Sequence, residues 1–302
     1  MDNTPLVSIV IPVYNRESIV QKAISSALSQ TYRNIEVIVS DNASTDNTWN
    51  VLNGFAQQDK RVSIFRNNEN LGPVRNWEAC FRQIKGKYVK IIWSDDYITE
   101  DYLEKTIPIL EQNDSCGFAY SKVCVEFSSG NKIDHVWGKT SLYETNHFIW
   151  ASLMGTRPTP VSPGCAIFRS DIVNNLLVDI PNELNLDFSK YGAGNDLLLF
   201  LITCVNYKFF YYIDETLSFF KGGSDSITSN SGGKLGVYYN YAKFFFVNEY
   251  ANKEIRDAFY TRLRFGENRA WVRNKKYKFV FSAVIAVASV KIRNFIKGIF
   301  NH

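Results

Sequence analysis

Cysteine, histidine and glycine-rich loops are scarce in this 302-residue sequence, and each shortage argues against a class of protein. The five cysteines are scattered without a CxxC pair, so neither a disulfide framework nor a zinc site is indicated. The three histidines lack metal-binding spacing and no GxSxG motif is present, which argues against zinc-dependent and serine-dependent hydrolysis. The turn at residues 12–16 contains no glycine, which argues against a dehydrogenase and a nucleotidyltransferase.

Positive charge is also scarce outside residues 262–302, although the whole chain carries a net +4. Residues 262–302 contain ten basic side chains and one acidic, a net +9, so residues 1–261 hold 24 basic against 29 acidic, a net −5. The basic character therefore belongs to this C-terminal segment, and no nucleic-acid partner is expected. The N-terminus lacks a basic region and the run Val7 to Val13 is too short for a signal core, so we expect a cytoplasmic protein.

Apolar strands and amphipathic helices alternate along the first hundred residues. The predicted strands are 7–13, 35–39, 62–65 and 88–93, and the helices between the first three are 18–29 and 47–57. Because the connections are short, this alternation predicts an α/β fold with a parallel, right-handed, doubly wound sheet. With 45% hydrophobic and 15% aromatic residues, the chain can build a large core.

Two adjacent carboxylates, Asp95 and Asp96, follow the fourth predicted strand, at the end of a sheet where ligands of such folds bind. Two neighbouring charges after apolar residues are costly to bury unless a cation neutralises them, and hard oxygen ligands favour Mg²⁺ or Mn²⁺. The pattern therefore indicates a metal ion that bridges to a phosphate. The alternative is a solvated acidic turn that caps the helix beginning near Asp101.

Five segments in a fixed order resemble the nucleotide-sugar-binding half of a family 2 glycosyltransferase. They are VSIVIPVYN (7–15), ALSQTY (27–32), DNASTD (41–46), NLG (70–72) and SDD (94–96). Three later segments resemble the acceptor half of that family: PGCAIFR (163–169), GNDLLLFL (194–201) and LSFFK (217–221). The resemblance covers roughly residues 5–228. It implies a GT-A type fold, a doubly wound and mostly parallel sheet flanked by helices, to which this chain adds a C-terminal helical extension.

The resemblance also implies roles for donor-binding residues. Asp96 would bind the metal and Asp95 would contact the ribose or the metal shell, so that the two form a DXD-like motif. The other donor-binding residues implied are Pro12, Val13, Tyr14, Asp41, Arg75 and Lys221. Asp41 would contact the base and Arg75 the base or a phosphate, and Lys221 would add charge beside the diphosphate. The alternatives are that Asp41 caps a helix and that Arg75 lies on a solvated helix face.

Asp196 is the predicted catalytic residue. Inverting sugar transfer needs a carboxylate that takes the proton from the acceptor hydroxyl, and Asp196 stands at the start of an apolar helix, where the helix dipole favours the ionised form. The family more often has an acidic residue just before this aspartate, where this chain has Asn195. That departure puts one acceptor contact in doubt. The alternative is that Asp196 only caps its helix.

The expected function is a metal-dependent, bacterial-type inverting glycosyltransferase that uses a nucleotide-sugar donor, with a UDP-sugar favoured. Its expected acceptor is a hydroxyl of a glycan, lipid-linked, in surface polysaccharide assembly. Two alternatives stay open. A polyprenyl-phosphate sugar synthase would transfer to a lipid phosphate and need no general base, and a sugar-nucleotide-binding protein without activity would not need Asp196 or Asp96.

The predicted domains are a catalytic domain at 1–234 and a helical region at 235–302. The catalytic domain divides into a nucleotide-sugar half at about 5–97 and an acceptor half at about 98–234, and a Gly/Ser-rich stretch at 222–233 would form a lid or a linker. The tail, 274–302, holds a twelve-residue apolar run, and that length of helix reaches only ~18 Å of a ~30 Å hydrocarbon core. It predicts peripheral binding to an anionic membrane at the inner face of the cell membrane. The alternative is a helix buried against the body or in a homo-oligomer.

Overall fold

The computed structural model describes residues 4–159, 162–182, 185–223 and 235–265. Its N-terminal half contains four parallel strands in the order β3–β2–β1–β4 with helices between them. These elements are β1 (Val7–Val13), α1 (Val20–Leu28), β2 (Ile35–Asp41), α2 (Thr48–Gln58), β3 (Val62–Arg66), α3 (Pro73–Phe81) and β4 (Tyr88–Ile91). The β-branched residues of β1 are buried on both faces, as expected for the centre of a parallel sheet.

The C-terminal half extends the same sheet in the order β4–β9–β6–β10–β5. Its strands are β5 (Tyr97–Ile98), β6 (Cys116–Phe127), β7 (Lys132–His135), β8 (Ser141–Glu144), β9 (Ala166–Arg169) and β10 (Phe209–Gly222). Its helices are α4 (Tyr102–Gln112), α5 (Thr145–Met154), α6 (Asn195–Asn206) and α7 (Leu235–Glu249). The α/β fold predicted from the sequence is confirmed.

Strand direction changes where the two halves meet. β9 lies antiparallel between β4 and β6, whereas β10 runs parallel to β6. β4 itself ends at Ile91, two residues before its predicted end, because the chain then turns and the amide of Asp96 donates to the carbonyl of Trp93 at 3.0 Å. The acidic pair therefore lies outside the strand, and both of its residues line a pocket.

An aromatic core holds α6 against the sheet. The ring of Phe118 on β6 contacts four other rings at centroid distances of 5.2–5.6 Å, those of Phe148, Phe168, Phe200 and Phe210. Aromatic pairs of this kind add about 0.5–1.5 kcal/mol each beyond the burial of their surface. The packing fixes α6 and therefore the position of Asp196 in its first turn.

The chain divides into two compact units. The first contains the sheet and α7 and ends at Ala251, and the second contains α8 (Lys253–Phe265), on which Lys253 and Asp257 form an ion pair at 2.6 Å.

Within the described ranges, no helix has the length and apolar character that a membrane crossing needs. The predicted lid at 222–233 lies almost wholly, and the tail at 274–302 entirely, outside the described residues, and the predicted domain boundary at 234 stays a prediction.

Candidate active site

A pocket of about 460 Å³ lies at the carboxyl ends of β1 and β4. Its walls include the residues that follow β1, β2 and β4, the end of β10, Ser162, the segment leading into α6 together with its first turn, and parts of α3 and α7. The predicted site residues that line it are Pro12, Val13, Tyr14, Asp95, Asp96, Asp196 and Lys221. The structure therefore brings most of the predicted donor-binding residues and the predicted base into one cavity, and their roles stay predictions.

Asp41 lies beside this pocket and outside its described lining. Its carboxylate is fully buried at the end of β2, where it accepts hydrogen bonds from the amide and hydroxyl of Ser44. Arg66 Nε forms an ion pair with Asp41 Oδ2 at 3.2 Å. The next residue, Asn42, does line the pocket and donates to Asn70 Oδ1 at 2.8 Å. In this structure Asp41 holds the loop that shapes the pocket wall.

Arg75 also lies outside the described lining of the pocket. It is on α3, and its guanidinium Nη2 donates to Asp179 Oδ1 at 3.0 Å. The Arg75 side chain keeps 42% of its surface exposed and that of Asp179 keeps 77%. An ion pair this exposed contributes little to stability. Breaking the bond between Arg75 and Asp179 would therefore cost little free energy.

The carboxylate of Asp96, in the acidic pair after β4, lies where a negative charge is costly. Asp96 is only 6% exposed, and burial together with the charge of Asp95 raises its pKa well above the ordinary range. The backbone amide of Lys221 opposes this shift by donating to Asp96 Oδ1 at 3.0 Å. A buried carboxylate that ionises with difficulty gains a great deal from a nearby cation.

Lys90 is a fully buried lysine that interacts electrostatically with Asp96. It is on β4, and its ammonium donates to the carbonyls of Gly164 and Ala166 and lies 4.1 Å from the centre of the Tyr102 ring. Burial lowers the pKa of Lys90 to about 7, while the charge of Asp96 opposes that change. The sequence analysis did not predict this buried lysine. The signal for it is a single lysine within an otherwise apolar strand.

The donor set of the acidic pair fits a hard divalent cation. Across the described residues, no cluster of three or more His, Cys, Asp or Glu side chains is placed to hold a metal alone. Mg²⁺ is commonly bound by one or two carboxylates together with the phosphates of a substrate. Asp95 and Asp96 supply that number of carboxylates on the pocket wall.

Asp196 lies in the first turn of α6, half-buried in the pocket wall. Its Oδ1 accepts hydrogen bonds from the amides of Gly194 and Leu197 at 2.9 and 2.7 Å, and its Oδ2 accepts one from the hydroxyl of Tyr239 at 2.7 Å. Burial raises the pKa of Asp196 to about 7 although these donors oppose the shift. A carboxyl with a pKa near neutrality is suited to accept a proton.

Asn195, which replaces the acidic residue more common in the resembling family, does not belong to the described pocket lining. It is 1% exposed, and its side-chain amide donates to the carbonyl of Leu177. Its Oδ1 has no hydrogen-bond partner among the described residues. The residue therefore packs behind Asp196 and offers no group to the pocket.

Trp77 and Trp93 form an aromatic wall of the pocket that the sequence did not predict. The rings of Trp77 and Trp93 lie 4.8 Å apart, and Trp93 Nε1 donates to Ser162 Oγ at 2.7 Å. Gly192, with a positive φ of 72°, packs so closely that an added Cβ would come within 2.4 Å of the Trp77 ring. Trp77 falls on the apolar face of α3, where its spacing is the same as that of a core residue, so only the fold distinguishes it.

Comparison with known sequences identifies the family. The family model described as Glycosyl transferase family 2 matches residues 8–177. A curated relative, the UDP-Glc:alpha-D-GlcNAc-diphosphoundecaprenol beta-1,3-glucosyltransferase WfaP of Escherichia coli, is 36% identical over 121 residues, which are 40% of this chain and 47% of WfaP. The chain spans less than half of the length of the first curated relatives it matches.

Comparison with solved structures gives the fold. The structure of Staphylococcus aureus TarS residues 1–349 with UDP-GlcNAc superimposes with a TM-score of 0.64 at 16% identity, covering 90% of this chain and 76% of that 1–349 chain. The mannosyltransferase PcManGT of Pyrobaculum calidifontis, in complex with GDP-Man and Mn²⁺, gives a TM-score of 0.56 at 15% identity, covering 96% of this chain and 76% of PcManGT. At such low identity the likeness concerns the fold alone, and it confirms the GT-A type predicted from the sequence.

Proposed function

The chain belongs to glycosyltransferase family 2, and from that premise we propose that it is an inverting, metal-dependent glycosyltransferase. Its proposed donor is a nucleoside-diphosphate sugar, a UDP-sugar by preference, and its proposed acceptor is a hydroxyl of a lipid-linked glycan. The product would be a step in the assembly of a surface polysaccharide. The proposal extends the family membership to a reaction and to residues that perform it.

One observation carries this proposal. The acidic pair that follows β4 and the aspartate that begins α6 are a hundred residues apart in sequence, yet both line one pocket of about 460 Å³. That volume lies within the range of small-molecule sites. A cation site for a diphosphate and a proton acceptor in the same cavity are the two groups that inverting sugar transfer requires.

The proposed mechanism assigns one task to each group. Asp95 and Asp96 would hold the cation, which when bound stabilises the negative charge on the departing nucleoside diphosphate. As the acceptor oxygen forms its bond to the anomeric carbon, the bond from that carbon to the diphosphate oxygen breaks. Asp196 takes the proton of the acceptor hydroxyl. Its raised pKa makes the carboxylate a stronger base than an exposed aspartate at the same pH.

The proposed substrates draw support from two similar proteins. WfaP is by its name a glucosyltransferase from UDP-glucose to a GlcNAc joined to diphosphoundecaprenol, and a TarS structure holds UDP-GlcNAc. Both names favour uridine as the nucleoside of the donor. A lipid-linked acceptor also gives a reason for the basic, apolar tail of this chain, because the tail would bring the pocket close to the membrane surface.

Thermal unfolding with a panel of nucleotide sugars tests the donor. We expect a UDP-sugar with Mn²⁺ to raise the Tm, because a ligand at 100 times its Kd adds about 2.7 kcal/mol to the free energy of unfolding. The same panel should include GDP- and dTDP-sugars, with UMP as the control that lacks a diphosphate. If none of these nucleotides raises the Tm, the proposed donor class is wrong.

Cosedimentation with liposomes tests the proposed membrane partner. We expect the full chain to pellet with anionic vesicles at low salt and to be released at high salt, since each tail cation contributes about 1 kcal/mol near such a surface. Neutral vesicles are the control. A chain that ends at Arg273 should stay in the supernatant and still bind nucleotide. A full chain that ignores anionic vesicles would favour the alternative, a tail packed in the protein or between copies.

A further inference from the structure

Helix α7 (Leu235–Glu249) brings one hydroxyl to the carboxylate of Asp196. Tyr239 lines the pocket, and its Oη lies 2.7 Å from Asp196 Oδ2. The tyrosine is the donor, because its ordinary pKa is far above that of the carboxyl, and burial together with the neighbouring Asp196 raises the pKa of Tyr239 further. The hydrogen bond is therefore charge-assisted whenever Asp196 is ionised.

The two oxygens of Asp196 have different surroundings. Oδ1 accepts from two backbone amides, those of Gly194 and Leu197, which occupy its two lone pairs. Oδ2 accepts from Tyr239, which occupies one of two. Among the described contacts, the lone pair left to accept a further proton is thus on Oδ2. Its direction is set by the bond to Tyr239.

Close packing holds α7 at this distance from α6. Gly194 has a φ of +92°, and an added Cβ there would lie 3.0 Å from the Ala242 Cβ and 3.1 Å from the carbonyl oxygen of Tyr238. The ring of Tyr238 also contacts those of Phe188 and Tyr191 at centroid distances of 5.2 and 5.5 Å. The backbone of α7 therefore rests directly on the turn that presents Asp196.

The other ionisable groups of the pocket do not replace Tyr239. The described ionisable side chains that share the pocket lining with Asp196 are Tyr14, Arg16, Asp95, Asp96, Tyr191, Lys221 and Tyr239. Within the described part of the chain, Tyr239 is the member of this set placed in hydrogen-bond contact with Asp196. The remaining bonds to Asp196 come from backbone amides, which mutation of side chains leaves in place.

We infer that Tyr239 is a positioning residue for Asp196, which aims Oδ2 at the acceptor hydroxyl and stabilises the carboxylate before the proton is transferred. This inference rests on the proposed role of Asp196 as the base. The hydroxyl of Tyr239 keeps its own proton throughout. The proton that leaves the acceptor oxygen goes to Oδ2 as the new glycosidic bond forms, and the diphosphate leaves with the electrons of the broken bond.

The pH dependence of kcat in Tyr239→Phe tests the inference. Wild type should lose activity as pH falls through about 7, where Asp196 takes up its proton. Loss of a hydrogen bond to a charged group should move this limb up by about one pH unit or more, so that kcat at pH 7 falls about fivefold or more and recovers at higher pH. The KM for the donor should change little, because the Tyr239 hydroxyl contacts Asp196, the proposed catalytic base.

Tyr241→Phe is the matched control. It removes a hydroxyl from the same helix, and that hydroxyl donates to the carbonyl of Pro181 at 3.3 Å. We expect its pH profile to match that of wild type. A difluorinated tyrosine at position 239 gives the opposite sign while keeping the ring, because its more acidic hydroxyl is a stronger donor and should move the limb to lower pH.

The outcomes separate the inference from the proposed function. If Asp196→Asn abolishes transfer while Tyr239→Phe and the fluorinated protein keep the wild-type limb, Tyr239 has no positioning role and the base assignment stands. If Asp196→Asn transfers sugar at the wild-type rate, the base assignment fails first and the inference fails with it. If Tyr239→Phe does not fold, the fluorinated protein alone decides, and an unmoved limb overturns the inference.

Discussion

Asp196→Asn is expected to lower kcat by about 10²-fold or more while the affinity for the nucleotide sugar stays near that of wild type. The amide has the shape of the carboxyl and can still accept hydrogen bonds from the amides of Gly194 and Leu197. It cannot accept the acceptor's proton. Steady-state kinetics give kcat, and calorimetric titration with the donor gives the affinity.

The stability of the same variant tests whether its loss of activity is a loss of fold. Because the folded protein raises the pKa of Asp196 to about 7, the folded state binds that proton more tightly than the unfolded state does. The stability that this provides is complete below the ordinary pKa and is lost as pH rises towards and through about 7. Asp196→Asn lacks this dependence, so its Tm should gain on that of wild type between about pH 4 and pH 7.

Asp187→Asn is the matched control for the base. The change is chemically the same and falls nine residues earlier, where the carboxylate accepts hydrogen bonds from the amide and hydroxyl of Ser189 outside the described pocket lining. We expect its kcat to stay within about threefold of wild type, since it lacks a place in the pocket. A variant at Asp196 that is as active as this control would refute the base assignment.

The same experiment separates the rival reactions. A polyprenyl-phosphate sugar synthase attacks with a phosphate oxygen that is already ionised, so Asp196→Asn would turn over normally with a lipid phosphate as acceptor. A binding protein without activity would show no transfer in any variant. A variant that loses donor affinity instead would place Asp196 in the donor pocket. Each of these results would indicate a different function for the chain, because one fold can carry all of them.

The N-terminal half of the fold could be predicted because its pattern is local. Strands such as β1 and β2 consist of apolar runs with turns on either side, and the helices between them show their own period. The antiparallel insertion of β9 could not be predicted in the same way. Its four residues, Ala166–Arg169, carry no sign of direction, and their neighbours β4 and β6 are distant in sequence.

The site was partly predictable for a related reason. A motif locates a residue at the end of a strand, as it did for Asp41 and Asp96, but it does not say which partner the side chain finds there. Ser44 holds Asp41 from three residues away, but Arg66 reaches it only because β3 pairs with β2. Tyr239 was missed because it lies in a helix rich in aromatic residues, where nothing local distinguishes a pocket residue from a core residue.

Asp96→Asn is expected to weaken metal-dependent nucleotide binding by about 10-fold to 100-fold or more, because loss of a residue that only supports a metal ligand already costs about 10–100-fold. Asp96 is buried against Asp95 with a pKa raised well above the ordinary range, so a cation has to displace a proton or offset a costly charge. The affinity of wild type for UDP with Mn²⁺ should therefore increase as pH rises. Calorimetry in buffers of different ionisation enthalpy should detect the released proton.

The asparagine variant should lose both the pH dependence and the response to Mn²⁺, because the neutral amide has no proton to release. Asp114→Asn is the matched control, since its side chain is 92% exposed and lies far in sequence from the pocket lining. Wild type in EDTA should bind UDP as weakly as Asp96→Asn does in Mn²⁺. If wild type instead binds UDP equally well with Mn²⁺ and with EDTA, the acidic pair does not act through a cation, and basic side chains such as Arg16 and Lys221 of the described lining would have to offset the charge of the diphosphate.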